Sequence, residues 1–295
     1  MLKHYPSLKY NPVTVGLTKL VLDLKNRSLE SVIFVATTGR SGSETLHKVF
    51  SSIGQCASTH EPYPIMNNDL MILRNEGDDT LAQNTYNAIK SVNIRRAALG
   101  KKYYIETNHM FIKSFIDYAA KDFPDKLKVI HLYRNPVDVA LSILSLNNYP
   151  NCYPGTETGN NWYLDYHAAE NLIKITDILD NNADFSHTFY KCLWYWFEIE
   201  ARVKFWKEKL PHIPFYDFNI ANLKKEDKFI SLLNQLNLEF DVQKIKNTLN
   251  TKSNRKTLHK TNSLDRDSAI MMKEQFEKIL VDNGYTLPHT LTDFT

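Results

Sequence analysis

Cysteine is scarce in this sequence: three in 295 residues, Cys56, Cys152 and Cys192, far apart and without CxxC spacing. So small and scattered a set argues against a disulfide framework and a zinc site, and it fits a reducing compartment. A strong charge of one sign is missing too, since 36 Lys and Arg against 33 Asp and Glu leave a formal net charge of +3. Nucleic-acid binders usually carry a basic stripe on one face, so this balance argues against that class and leaves room for a local anion site. No apolar run approaches the roughly 18 residues needed to cross a bilayer. The opening MLKHYPSLKYNPVTVGLTKLVLDLK lacks the apolar core and small-residue cleavage site of a signal peptide. A soluble, cytoplasmic chain is the expectation, with no internal repeat and no low-complexity tract.

What is present is an ordinary globular composition, 43% hydrophobic and 12% aromatic, with both signs of charge spread along the length. The expected organisation is an N-terminal extension over 1–30 followed by a single domain over 31–295. Within the extension, Leu17, Leu20, Val21 and Leu24 fall at helical spacing and predict an amphipathic helix that packs through them.

Ser31–Ala36 (SVIFVA) reads as a buried strand, Thr37–Ser43 as a tight polar loop and Glu44–Phe50 as a helix. The pattern recurs: Lys126–Tyr133 is strand-like, and a helix runs from Pro136 to Leu146 with proline in its first turn. Between them lie a helix over Asp79–Ala98, a strand over Lys102–Glu106 and a helix over Ile112–Ala120. A long helix over His187–Leu210 comes next, whose Trp194, Trp196 and Trp206 read as core, then a strand over Ile213–Phe218 and a helix over Glu226–Leu236. Strand-to-helix alternation predicts a P-loop-like, three-layer α/β/α fold with a central, mainly parallel sheet. The Asn-, Pro- and Tyr-rich stretch from Tyr149 opens a lid or acceptor loop over about 149–186.

Where the first strand hands over to its helix, the N–H groups and dipole of the first helical turn favour an anion. Gly39 and Gly42 permit close backbone approach, Arg40 adds a forked cation, and Ser41, Ser43 and Thr45 add hydroxyls. A nucleoside-triphosphate loop would read GxxxxGK[ST], and this one has no Gly-Lys pair. For this segment taken alone, a capped helix start with chance glycines is the alternative reading.

The second junction, VIHLYRNPVDVALSIL, narrows the choice. Arg134, Asn135, Pro136, Asp138 and Ser142 match a YxxRNPxDxxxS pattern, and here the chain resembles the sulfotransferase superfamily that uses 3′-phosphoadenosine 5′-phosphosulfate (PAPS). The resemblance runs over roughly residues 31–260. It implies that Arg134 and Ser142 grip the 3′-phosphate and that Thr38, Gly39, Arg40, Ser41, Gly42, Ser43, Glu44 and Thr45 surround the 5′-phosphosulfate. PAPS is then the co-substrate, PAP the product, and no metal is required. Arg255 and Lys256, in a basic loop where the family closes over the nucleotide, are candidate contacts; an ordinary basic surface loop is the alternative.

Cytosolic members carry a lysine where this chain has Arg40, so the loop is more similar to the carbohydrate, Golgi-type or bacterial branches. A guanidinium neutralises charge but donates no proton, so leaving-group help would be electrostatic. The acceptor hydroxyl, on a small molecule or glycan, needs a base. Glu61, in the Glu-Pro that resembles the carbohydrate branch, and His109, loosely matching the histidine of the cytosolic branch, both qualify, and Arg40 tilts the choice to Glu61. Glu106, His60 and Asn108 are candidates to contact or orient the acceptor, and Tyr149, Tyr153, Trp162 and Tyr163 are candidates to stack on it. A P-loop-type kinase and a non-catalytic nucleotide- or partner-binding member of the fold are the alternative functions.

Overall fold

The computed structural model describes residues 11–146, 162–250 and 264–294. Its centre is a five-stranded sheet in the order β2-β3-β1-β4-β5. The strands are β1 (Ser31–Ala36), β2 (Cys56–His60), β3 (Tyr103–Thr107), β4 (Leu127–Tyr133) and β5 (Phe215–Asn219). Every pairing is parallel. Side chains alternate along a strand, and here both faces are covered. From β1, Val32, Phe34 and Ala36 join one apolar cluster, and Ile33 and Val35 the other. The first cluster takes in Trp194 and Trp196 of the Thr188–Lys209 helix, both at 0% exposure, so the long helix is core as its composition suggests. Phe34 stacks on Phe111 at 4.6 Å between ring centroids. The second cluster packs the Ser43–Ser51 and Glu226–Gln235 helices on the opposite face. Three layers result, as the alternation of elements predicts.

Two expected helices are interrupted. The run expected over Asp79–Ala98 is Thr80–Thr85, a π-helical turn at Tyr86–Lys90 and Ser91–Ala97. The one expected over Ile112–Ala120 starts as a π-helical turn, Phe111–Phe115, before Ile116–Asp122. Each wide turn carries a lysine at 1% exposure, Lys90 and Lys113. A π turn shifts the register of the next helical residues by one position and is often found at functional sites.

The N-terminal helix forms at Pro12–Lys25, with Asn11 accepting from Val13 N–H as its cap. Its packing corrects the expectation. Leu17, Leu20, Val21 and Leu24 are 50–60% exposed, and Val15 and Leu22 face inward against Val92. Ion pairs fix that choice: Asp23 meets Arg95 at 2.7 Å, Lys19 meets Asp122 at 3.7 Å, and Arg95 meets Asp122 at 2.8 Å. Among the described residues, no helix is long and apolar enough to cross a membrane.

Candidate functional site

The C-terminal ends of β1, β2, β3 and β4 carry the residues singled out by the sequence, and the parallel order sets them side by side. After β1 the chain turns sharply, with positive φ at Gly39 (78°), Arg40 (54°) and Gly42 (85°). At Gly42 glycine is required twice over, since a Cβ would also lie 2.8 Å from Ile220 Cγ1. Arg40 holds a left-handed conformation without that licence, a strain of order 1–3 kcal/mol of the kind that collects at functional sites. The Thr38 and Ser41 hydroxyls lie 2.7 Å apart, within 2.6 and 3.0 Å of the Gly39 carbonyl, so both turn into the loop and brace it. Gly42 caps the Ser43–Ser51 helix with no side chain, and Thr37 Oγ1 beneath the loop is buried with no hydrogen-bond partner. Glu44 pairs with Lys48 one turn further along the helix at 3.1 Å.

The second segment is locked to the first. Arg40 Nε donates to Ser142 Oγ at 3.0 Å, and Arg134 Nη1 donates to the Arg40 carbonyl at 3.0 Å. Asn135 accepts from the N–H groups of Val137 and Asp138, which with Pro136 starts the Pro136–Leu144 helix where β4 ends. Trp196 Nε1 donates to the Arg134 carbonyl at 3.0 Å and ties the junction to the core. The Arg134 side chain stays 38% exposed, and Asp138, 3.7 Å from it, also takes Arg266 Nη1 at 2.5 Å.

Glu61 and His109 lie together. Glu61 comes just after β2 at φ 47°, another left-handed non-glycine residue, and its Oε1 is 3.5 Å from His109 Nε2. Burial raises the Glu61 carboxyl above the usual range, against the pull of His60 and Lys113. Burial lowers His109 well below an ordinary imidazole, and the charge of Lys113 adds to it. The ring packs on Gly39, where a Cβ would come within 3.0 Å of Nδ1, and stacks on Trp162 with centroids 5.7 Å apart and planes at 12°. Of the expected stacking aromatics, Trp162 and Tyr163 therefore border the base candidates, whereas Tyr149 and Tyr153 lie outside the described residues, as do Arg255 and Lys256.

Glu106 and Asn108, expected to contact or orient the acceptor, are sealed in the interior. Both are 0% exposed. Glu106 takes Lys90 Nζ at 2.6 Å, Tyr104 OH at 2.5 Å and Asn108 Nδ2 at 2.9 Å, so both of its oxygens are engaged in a brace under β3. His60 Nδ1 lies 2.8 Å from Thr107 Oγ1 and joins the ends of β2 and β3.

Lys113 was not evident from the sequence. Its Nζ has three partners, the Trp162 carbonyl at 2.5 Å, Tyr195 OH at 3.0 Å and His109 Nδ1 at 3.1 Å. Burial lowers its pKa well below that of a free lysine. The available signal was a single cation inside the apolar run MFIKSFIDYAA, four residues after the histidine.

Residues 30–264 match the family model described as the sulfotransferase domain. The chain belongs to the sulfotransferase family. Its chemistry is therefore that of a transferase acting on sulfuryl groups. No curated protein sequence matches it. Among solved structures, a sulfotransferase from Alicyclobacillus acidocaldarius is 13% identical over 84% of this chain and 92% of its own, with a TM-score of 0.47. The sulfotransferase domain of the Synechococcus PCC 7002 olefin synthase is 14% identical over 88% and 95%, at 0.47. The sulfotransferase domain from the curacin biosynthetic pathway is 12% identical over 88% and 99%, at 0.48.

Proposed function

We propose that this sulfotransferase takes its sulfuryl group from PAPS and delivers it to an acceptor hydroxyl, with a carbohydrate favoured, by in-line displacement without a metal. The observation that carries the reading is the direct bonding of Arg40 to Ser142 and of Arg134 to the Arg40 backbone, which joins the turn after β1 and the helix after β4, the two segments expected to bind phosphate. The residues fit such a ligand. The guanidiniums of Arg40 and Arg134 both bond within this junction, the helix behind Gly42 has no side-chain cap, and Thr37 Oγ1 lies buried without a partner.

In this reading Arg134 and Ser142 hold the 3′-phosphate, Arg255 and Lys256 close over the nucleotide, and the Thr38–Thr45 loop surrounds the 5′-phosphosulfate. Arg40 stabilises the negative charge that collects on the 5′-phosphate oxygen as its bond to sulfur breaks. Glu61 takes the acceptor proton as the new oxygen–sulfur bond forms. A preference for carbohydrate rests on the Glu-Pro at Glu61–Pro62 and on arginine at position 40.

Calorimetric titration with PAP, and separately with ATP and magnesium, tests the nucleotide. Micromolar PAP binding indifferent to magnesium is expected. Tight, magnesium-dependent ATP binding would instead favour a kinase, and PAP binding with no transfer to any hydroxyl would favour a non-catalytic role.

A further inference from the structure

Glu61 opens a turn that the interior grips by its carbonyls. The turn begins and ends in left-handed non-glycine residues, Glu61 at φ 47° and Met66 at φ 72°. Such conformations persist only where the surroundings over-determine them. Here the surroundings are donors aimed at the backbone between those two residues. Lys90 Nζ donates to the Pro62 carbonyl at 3.2 Å, Asn93 Nδ2 to the Tyr63 carbonyl at 3.0 Å and Asn108 Nδ2 to the Ile65 carbonyl at 3.2 Å. The Glu61 N–H itself donates to the Thr107 carbonyl at 3.2 Å.

Two of the three donors stand on Glu106. Its Oε1 takes Lys90 Nζ at 2.6 Å and Asn108 Nδ2 at 2.9 Å, and its Oε2 takes Tyr104 OH at 2.5 Å, which accepts from Thr59 Oγ1 on β2 at 3.2 Å. These roles do not depend on the charge of the lysine. A carbonyl can only accept, and an amine keeps two N–H bonds even when neutral, so Lys90 can serve Pro62 and Glu106 in either state. The Asn108 amide has one orientation: Met110 N–H donates to its Oδ1 at 2.9 Å, which leaves the two Nδ2 protons for Ile65 and Glu106. Lys90, Glu106 and Asn108 are at most 1% exposed, so the network is made away from water, where such bonds rigidify most.

We propose that Lys90 and Asn108, both seated on Glu106, are positioning residues that lock the turn from Glu61 to Met66 and so hold the Glu61 carboxyl in its place beside His109. The carboxyl faces His109 at 3.5 Å, with Lys113 on the helix of His109, His60 on β2, Glu44 on the helix after β1, Tyr195 on the long helix and Glu106 beneath. Releasing the turn would let it swing from that half-buried place into water.

The lock matters for turnover only if Glu61 is the base of sulfuryl transfer, as proposed above, but the place of the carboxyl can be read without any activity. Carbon NMR of nucleotide-free protein labelled at its glutamate carboxyls follows Glu61 through a pH titration, with the signal assigned by its loss in Glu61→Gln. In the natural protein burial sets its midpoint above the ordinary glutamate value of about 4.3. Asn108→Ala removes one clamp and changes no charge. Its Glu61 midpoint should move down toward that ordinary value and kcat should fall about ten- to a hundredfold, with PAP affinity unchanged by calorimetry. A variant that is merely less stable would keep the natural midpoint, because the signal comes from folded molecules. A midpoint that stays where it was overturns the proposal, whatever happens to turnover. A midpoint that moves while turnover stays full leaves the lock standing and sinks only the reading of Glu61 as base. If Asn108→Ala fails to fold, the natural protein decides: a raised midpoint supports the held carboxyl, and an ordinary one overturns it.

Discussion

Arg40 Nε donates to Ser142 Oγ at 3.0 Å across 102 residues of sequence, and this one hydrogen bond joins the turn after β1 to the helix after β4. Arg134 completes the clasp through the Arg40 carbonyl. Removing Arg134 therefore takes away a cation and frees the neighbouring turn. A charged hydrogen bond contributes about 1.5–3 kcal/mol, so Arg134→Ala should weaken PAP binding about ten- to a hundredfold by calorimetry. Unchanged PAP affinity would remove Arg134 from the nucleotide site.

Glu61 supplies a pH signature. Its carboxyl is raised by burial, and a base works only when deprotonated, so turnover should climb with pH through a limb lying above the ordinary carboxylate range. Glu61→Gln should lower kcat by about 10²–10⁴-fold, abolish the limb and leave PAP affinity intact. A limb that persists in Glu61→Gln would belong to another group.

Lys90 and Glu106 form a buried ion pair at 2.6 Å, with exposures of 1% and 0%. Deleting one partner strands the other charge, which typically costs about 3–5 kcal/mol. Lys90→Met should lower the urea midpoint accordingly, and adding Glu106→Gln should recover part of the loss because the stranded charge disappears. A single variant as stable as the natural protein would show that the pair contributes nothing net.

His131 couples stability to alkaline pH. Burial alone would lower its pKa, but Glu200 at 2.9 Å and Asp217 at 2.7 Å prevail and raise it to about 9. A folded-state pKa above the unfolded value of about 6.5 gives stability that is full below about 6.5 and lost as pH rises through about 9. Thermal unfolding should therefore show Tm falling between those two values, and His131→Asn should flatten the slope. An equal slope in the variant would assign the effect elsewhere.

The sequence made the alternating layers legible because β1 is apolar after Ser31 and β4 is largely apolar, each giving way at once to glycine, proline and polar turn residues. It offered Arg40, Glu61, His109, Arg134 and Ser142 through the resemblance of their motifs to the sulfotransferase superfamily, and that resemblance needs no coordinates. It could not reveal that Arg40 and Ser142 touch, which depends on β1 and β4 being neighbours. Nor could it tell that Leu17 and Leu20 face outward, since periodicity defines a face but the ion pairs of Asp23 and Lys19 choose which one turns inward. Lys90 and Lys113 were hidden for a related reason: a lysine in a helical stretch normally reads as solvent-facing, and here each is buried in a π turn with a specific partner.

The strand order also acts as a ruler. Glu61, His109, Arg40 and Arg134 emerge from β2, β3, β1 and β4, four consecutive neighbours, so with strands about 4.8 Å apart the outer two are rooted roughly 14 Å from each other. The end of that line at Arg40 and Arg134, which we propose holds the nucleotide, belongs to the interior of the sheet, where any change disturbs the core. Its other end is an edge, because β2 pairs with β3 alone among the described strands and its last four residues are only half-buried. On the proposed assignment of the acceptor to Glu61, segments around that edge can be rebuilt for a new acceptor while the donor half keeps its fit, so one scaffold can vary its substrates from a single margin.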